Sequence, residues 1–180
     1  MSIVLLTGAN RGLGLEFARQ YAAEGWQVLA ACRRPDAAES LRALAAESAG
    51  RVSLHTLDLA APEQIADLAR ELAGVELDLL INNAGIYPPS HPLGQIDYPA
   101  WEQAFRINSL APVMMAEAFA PALARAPAPR IVNITSKMGS IDDNSSGGSY
   151  AYRCSKTALN MASVNLAHDL REQGITVLIL

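Results

Sequence analysis

The sequence has few of the residues that mark metal-binding, secreted or nucleic-acid-binding proteins. It contains two cysteines, Cys32 and Cys154, in no C-x-x-C pair, and three scattered histidines without a metal-ligand spacing. Lys and Arg number 14 against 18 Asp and Glu, and no run of basic residues exceeds two. We therefore expect a reduced, metal-free, cytoplasmic protein that binds small molecules, with neither nucleic acid nor an anionic membrane as a partner.

Long apolar segments are also absent, and aromatic residues make up only 6% of the chain. No stretch approaches the roughly 18 uncharged apolar residues of a membrane span, and the start "MSIVLLTG" lacks the basic region and cleavage site of a secretory signal. Hydrophobic residues of all kinds still reach 51% of 180 residues, which is enough for one buried core. We take 1–180 as a single domain.

Six short apolar runs alternate with segments of helical periodicity. The runs are "SIVLLT", "WQVLAAC", "VSLHTLD", "LDLLIN", "RIVNIT" and "ITVLIL", and the helical segments cover about 13–24, 36–49, 62–73, 98–125 and 150–172. Strands that are apolar throughout are typical of a parallel sheet covered on both faces. The alternation predicts an α/β fold with a doubly wound parallel sheet, whose carboxyl edge would carry "IYPPSHP" and "SIDDNSSGGS" as walls of a ligand site.

A glycine-rich turn joins the first strand to the first helix. In "LLTGANRGLG", Gly8, Gly12 and Gly14 have the spacing G-x-x-x-G-x-G, and no Lys-Ser/Thr pair follows as in a P-loop. A turn without side chains lets backbone N–H groups and a helix N-terminus approach a pyrophosphate. The pattern favours dinucleotide binding over a nucleotide triphosphatase.

Arginines occupy the place where a dinucleotide site often has an acid for the adenosine ribose. The second strand ends "ACRRP", which puts Arg33 and Arg34 there, and Arg11 lies in the glycine turn. Arginines at this position favour the 2′-phosphate of NADP(H) over NAD(H), although both could also be solvated loop residues. We interpret Asp36 as the N-cap of the following helix.

The stretch "SYAYRCSK" contains a possible catalytic pair. Tyr152 and Lys156 are four residues apart, which is about 400° of helix rotation, so they share a face, whereas Tyr150 points away. A tyrosine ordinarily has a pKa of about 10, and a nearby ammonium group makes it a better proton donor near neutral pH. The alternative is a half-buried tyrosine beside a solvated lysine.

Four motifs in one order give the chain a family resemblance. "TGANRGLG" at 7–14, "NNAG" at 82–85, "IVNITS" at 131–136 and the pair of Tyr152 with Lys156 resemble the short-chain dehydrogenase/reductase family, especially its C-factor-like carbonyl reductases. The resemblance extends from residue 2 to residue 180. It implies a Rossmann-like sheet of order 3-2-1-4-5-6 and NADPH-dependent reduction of an aldehyde or ketone. It also implies a homodimer through helices around 108–125 and 150–172.

The resemblance also assigns roles to individual residues. It implies that Ser136, Tyr152, Lys156 and Asn108 are catalytic, with Ser136 donating a hydrogen bond to the substrate oxygen. Read without the family, Ser136 could be a strand-end hydroxyl that satisfies a loop. The cofactor-binding residues would be Gly8, Asn10, Arg11, Gly12, Leu13, Gly14, Arg33, Asp58, Leu59, Asn83, Ala84, Gly85, Tyr152 and Lys156.

Asn108 has a second feature that follows from the residues near it. Pro112 lies four residues later in an apolar helical run and has no N–H group to bond the Asn108 carbonyl. We predict that this carbonyl accepts a hydrogen bond from a water leading toward Lys156, by which Tyr152 is reprotonated. The alternative is a proline kink with its carbonyl facing bulk solvent.

The chain departs from the family pattern after "GITVLIL". Relatives continue with a Pro-Gly turn, a substrate-covering segment and a seventh strand, so we expect a C-terminally incomplete domain. A second hypothesis is therefore a catalytically impaired nucleotide-binding regulatory or structural protein. An epimerase or dehydratase acting on a nucleotide-sugar would share the Tyr and Lys, and a serine hydrolase is disfavoured because no G-x-S-x-G is present.

Overall fold

A six-stranded parallel sheet forms the centre of the molecule. The computed structural model describes all 180 residues, and the strand order is β3-β2-β1-β4-β5-β6 with every neighbouring pair parallel. This confirms the predicted doubly wound α/β fold. The strands are β1 (Ile3–Thr7), β2 (Gln27–Cys32), β3 (Val52–Thr56), β4 (Leu79–Asn82), β5 (Arg130–Asn133) and β6 (Thr176–Ile179).

Helices cover both faces of the sheet, as continuously apolar strands require. They are α1 (Gly12–Ala23), α2 (Glu39–Glu47), α3 (Pro62–Glu71), α4 (Tyr98–Phe105), α5 (Ala111–Leu123) and α6 (Tyr150–Asp169). Buried side chains of α1 and α2 pack on one face, and those of α3, α5 and α6 pack on the other. None of the helices combines the length and the apolar character needed to cross a membrane.

The helix expected over 98–125 is interrupted by one π-helical turn, Arg106–Leu110, between α4 and α5. Pro112 explains the interruption, because it has no N–H group for the ordinary bond to the residue four positions earlier. The wider turn buries Asn108, which is 1% exposed, so an Asn108 side chain is fixed inside the protein beside the carboxyl edge of the sheet.

The prediction that Asp36 caps the next helix is wrong. Asp36 lies inside a short 3-10 turn, Pro35–Ala37, and α2 begins only at Glu39 after Ala38, which provides no side-chain cap. Pro35 causes the difference, because its fixed φ angle favours starting a tight turn directly after the strand. The segment after β2 therefore turns at once and keeps Arg33 and Arg34 at the sheet edge.

Candidate active site

A cleft of ≈ 760 Å³ opens where β1, β2, β3 and β4 end. Most of the residues predicted to bind the cofactor lie in its wall: Gly8, Asn10, Arg11, Gly12, Leu13, Gly14, Arg33, Asp58, Leu59, Asn83, Ala84 and Gly85. The wall also contains Thr7, Cys32 and Arg34. Tyr152 and Lys156, on α6, are not part of this wall.

Close backbone contacts shape the glycine turn. Gly8 has φ +69°, a left-handed conformation that side chains disfavour. A Cβ on Gly14 would lie 2.2 Å from the Gly8 carbonyl oxygen, so no larger residue fits at Gly14 without moving the turn. The turn thus presents backbone in place of side chains, as the glycine spacing predicts.

Thr7 and Asn83 tie this turn to the end of β4. The Asn83 side-chain amide donates to the carbonyl oxygens of Thr7 and Gly8 at 3.0 and 3.3 Å. The Thr7 hydroxyl oxygen accepts from the backbone N–H groups of Asn83 and Ala84, both at 3.1 Å. The role of Thr7 was not predicted, because its partners are more than seventy residues away in sequence. These bonds hold two walls of the cleft in one arrangement.

Basic side chains give the cleft its charge. Arg11, Arg33 and Arg34 are exposed and take part in none of the four ion pairs of the structure. Burial raises the pKa of the Cys32 thiol, which keeps that group neutral. One carboxylate oxygen of Asp58 accepts a hydrogen bond from the Ala60 N–H at 3.0 Å. A glycine cradle with unpaired arginines beside it fits an anionic dinucleotide.

Lys156 lies buried near the Tyr152 ring. It is 4% exposed, its Nζ donates to the Ile134 carbonyl at 2.7 Å, and Nζ is 5.8 Å from the centroid of the Tyr152 ring. The interpretation as a solvated lysine is therefore wrong. Burial lowers the Lys156 pKa from 10.5 to about 8. Tyr150 instead packs beside Trp101, with ring centroids 6.0 Å apart.

The lysine and the cleft meet at Gly85. This glycine is in the cleft wall, and a Cβ on it would lie 3.7 Å from Lys156 Nζ and 3.2 Å from Asn108 Oδ1. Two of the four predicted catalytic residues, Asn108 and Lys156, therefore lie next to the Gly85 wall of the cleft.

Ser136 begins the short 3-10 turn Lys137–Gly139 after β5. Its hydroxyl oxygen accepts from the Met138 N–H at 3.1 Å, so the hydroxyl does satisfy the loop. A hydroxyl can accept and donate at the same time. The Ser136 O–H hydrogen is thus still able to bond a substrate oxygen, and the two interpretations of this residue are compatible.

Asn108 connects the loop after β4 with the first turns of α6. Its side-chain oxygen accepts from the Ile86 N–H, and its amide donates to the Ile86 carbonyl, both at 2.8 Å. The same amide donates to Ser155 Oγ at 3.0 Å, and that hydroxyl donates to the Tyr152 carbonyl at 2.8 Å. Neither Ile86 nor Ser155 was predicted. The proposed water at the Asn108 carbonyl stays a prediction.

A separate series of hydrogen-bonded side chains begins on the edge strand β3. Ser53 Oγ is 2.8 Å from His55 Nε2, and His55 Nδ1 is 2.9 Å from Glu71 Oε1. These side chains lie outside the cleft wall, and the Glu71 side chain is 61% exposed. A carboxylate this exposed to water orients a catalytic histidine only weakly. We therefore keep the cleft and α6 as the candidate site.

Comparison with known proteins places this arrangement among dehydrogenases. A family model described as short chain dehydrogenase matches residues 2–180. A 1-hydroxy-2-glutathionyl-2-methyl-3-butene dehydrogenase of Rhodococcus sp. (strain AD45) is 36% identical over 182 residues, with 100% of this chain and 76% of that protein covered. The C-signal protein of Myxococcus xanthus is 42% identical over 104 residues, which are 58% of this chain and 63% of that protein.

Solved structures agree with the sequence comparison. An NADPH-bound carbonyl reductase from chicken fatty liver superposes with a TM-score of 0.90 at 34% identity, covering 99% of this chain and 79% of that one. A carbonyl reductase from Pseudomonas aeruginosa PAO1 in complex with NADP gives a TM-score of 0.90 at 32% identity, covering 99% and 81%. Both similarities extend over the cleft and α6.

Proposed function

We propose that this chain, which belongs to the short-chain dehydrogenase family, reduces an aldehyde or ketone with NADPH, and that Tyr152 is the proton donor. The proposal rests on one observation: a buried Lys156 lies beside the Tyr152 ring and next to Gly85, which is part of the wall of the glycine-shaped cleft. A dinucleotide cleft next to a paired tyrosine and lysine has the parts that carbonyl reduction needs.

The cleft residues would hold the cofactor in an extended form. The glycine turn and the start of α1 suit the pyrophosphate, and Arg33, with Arg11 and Arg34 nearby, suits a 2′-phosphate. When bound, NADPH supplies the hydride. The preference for NADP(H) over NAD(H) rests on these unpaired arginines and agrees with the NADP-bound relatives.

The residues of α6 and β5 would manage the proton and the developing negative charge. The Tyr152 hydroxyl donates its proton to the substrate oxygen, and the Ser136 hydroxyl donates a hydrogen bond to the same oxygen. A lysine with a pKa of about 8 is still roughly 90% charged at pH 7, so Lys156 can stabilise the phenolate. Asn108 positions the first turns of α6 through Ser155.

The test is NADPH oxidation with a panel of aldehydes and ketones, in wild type, Tyr152→Phe and the matched control Tyr150→Phe. We expect Tyr152→Phe to lower kcat by roughly 10²- to 10⁴-fold, and Tyr150→Phe to have little effect. Equal rates in wild type and Tyr152→Phe would refute the proposed chemistry. NADPH binding without turnover in the wild type would support the second hypothesis, a nucleotide-binding regulatory or structural protein.

We also propose a homodimer through the helical segments around 108–125 and 150–172. Met115, Phe119 and Leu123 belong to the core, but Leu110 of the π-helical turn and Met161 and Val164 of α6 expose 55%, 64% and 47% of their surface. Sedimentation should give twice the 19.2 kDa of one chain, and Met161→Arg should give the single-chain mass. A monomeric wild type would contradict the dimer. The cytoplasmic location expected from the cysteines stays a prediction.

A further inference from the structure

Aromatic residues are scarce in this chain but are concentrated beside the proposed proton donor. Four of the five tyrosines and one of the two tryptophans form neighbouring ring pairs around Tyr152 and the start of α6: Tyr87, Tyr98, Trp101, Tyr150 and Tyr152. The ring nearest to Tyr152 is that of Tyr87, with centroids 4.5 Å apart and an interplanar angle of 47°. Tyr87 is nevertheless 56% exposed, so much of its ring is open to an incoming molecule.

Three restraints hold the Tyr87 ring in place. The preceding Ile86 is bonded through both its N–H and its carbonyl to the buried Asn108 side chain. The following Pro88 limits the Tyr87 backbone to extended conformations. The Tyr87 hydroxyl forms a 2.9 Å hydrogen bond with Ser149 Oγ, just before α6. An exposed ring with this many restraints is a rigid surface.

Ser149 shows that this contact comes with backbone strain. It has φ +44° and ψ 41°, a left-handed conformation that is uncommon for a residue other than glycine. Its N–H donates to Ser90 Oγ at 3.0 Å, and its hydroxyl meets Tyr87. Strain held by specific side chains concentrates at functional sites. Here it fixes the start of the helix that carries Tyr152.

We propose that Tyr87 is the substrate-facing wall of the site and selects carbonyl compounds in which an aromatic ring is attached to the carbonyl carbon. This rests on the proposed function for the location of the reacting carbonyl. A flat, rigid ring 4.5 Å from the Tyr152 ring favours a flat partner over a puckered one of the same size. An aromatic pair adds roughly a 2- to 10-fold preference beyond the effect of buried area.

The test compares acetophenone with cyclohexyl methyl ketone, which has the same number of heavy atoms but no aromatic ring. Binding to the NADP⁺-saturated protein is measured by calorimetry, because no hydride is available and turnover is not needed. We expect the wild type to prefer acetophenone by roughly 2- to 10-fold, and Tyr87→Leu to reduce this ratio to about 1. Tyr87→Phe loses the hydrogen bond to Ser149 but keeps the ring and the restraints at Ile86 and Pro88, so it should still prefer acetophenone.

Tyr98→Leu is the matched control, because Tyr98 is 63% exposed and stacks on Trp101, with no ring contact to Tyr152. It should leave the ratio at the wild-type value. An equal ratio in wild type and Tyr87→Leu, or no preference in the wild type, would overturn the inference. An aromatic preference that depends on Tyr87, together with no NADPH oxidation by the wild type, would instead count against the proposed reduction alone.

Discussion

The cleft between β1 and β4 and the α6 side of the site are constructed differently. In the cleft the turn after β1 presents backbone, and the basic groups are exposed arginines without ion-pair partners. On the α6 side, Asn108, Ser155 and Lys156 are buried, and each is hydrogen-bonded to a group from another part of the chain. The cleft leaves its basic side chains and turn backbone free to bind a ligand, whereas the polar groups of the α6 side are hydrogen-bonded within the protein.

This difference assigns the two regions separate tasks. Free backbone and unpaired positive charge suit a ligand that supplies its own negative charge, so the cleft is suited to affinity. A buried lysine with a lowered pKa and a network of satisfied side chains suit the control of one proton at one place. Changes in the cleft should therefore alter binding, and changes on the α6 side should alter rate.

The largest expected effect comes from Lys156→Met, which removes the charge on the α6 side. We expect kcat to fall by roughly 10²- to 10⁴-fold, because the phenolate of Tyr152 loses its neighbouring ammonium group. In the wild type the same charge is present below the Lys156 pKa of about 8 and is lost above it, so the pH profile of kcat should fall above pH 8. Steady-state kinetics with NADPH measures both effects.

The same substitution should stabilise the fold. A lysine pKa lowered from 10.5 to about 8 means that burying the charged form costs the wild type roughly 3 kcal/mol of stability. The variant gains this amount but loses the hydrogen bond to the Ile134 carbonyl, so its net gain is smaller. Between pH 8 and pH 10.5 the unfolded wild-type chain binds more protons than the folded protein. The free energy of unfolding of the wild type therefore rises with pH in this range, and its deficit relative to the variant shrinks. Denaturant unfolding at pH 7 should favour Lys156→Met by about 1–3 kcal/mol.

Lys137→Met is the matched control, since Lys137 is the other lysine and is exposed. It should change neither the rate nor the free energy of unfolding by a measurable amount. A Lys156→Met variant that is less stable than the wild type at pH 7 would show that the buried charge is compensated within the fold.

The next largest effect is expected in the cleft, from Gly14→Ala. The added Cβ would lie 2.2 Å from the Gly8 carbonyl oxygen and 2.6 Å from Asn83 Nδ2, so the turn must move despite the better helix propensity of alanine. We expect NADPH affinity to fall by about 100-fold and the free energy of unfolding by about 1–3 kcal/mol. Fluorescence titration and denaturant unfolding measure the two quantities.

Gly74→Ala controls for the general effect of replacing glycine. No heavy atom lies within 4 Å of a Cβ placed on Gly74, so affinity and stability should stay near wild-type values or rise slightly. If both glycine substitutions weaken NADPH binding equally, the close packing of Gly14 against Gly8 is not what shapes the cleft.

The same comparison explains how much could be predicted from the sequence. The cleft depends on local features, namely glycine spacing and the ends of apolar strands, and Gly8, Gly12 and Arg33 lie in its wall. The α6 side depends on contacts between distant residues. Asn108 meets Ile86 and Ser155 across 22 and 47 positions, and no local pattern indicates those pairs.

Two further positions show the limits of local patterns. The missing N–H group of Pro112 predicts an irregular helix, but no local pattern indicates that the irregularity is a π-helical turn that buries Asn108. Asp36 has the residue type of an N-cap, yet the turn at Pro35 moves the start of α2 beyond it. In both cases tertiary packing or a neighbouring proline outweighs the preference of a single residue.

The smallest expected effect is a change in the preference for NADPH over NADH, two cofactors that differ by one phosphate. Arg33→Asp should weaken NADPH binding by roughly 10- to 100-fold, because a charge-assisted bond to the 2′-phosphate is replaced by repulsion. NADH lacks that phosphate, so its affinity should change by no more than about threefold. Arg171→Asp, an exposed arginine outside the cleft wall, should alter neither affinity. Equal losses for NADPH and NADH in Arg33→Asp would show that this arginine shapes the cleft in general, and the free positive charge there would then have no role in choosing between the cofactors.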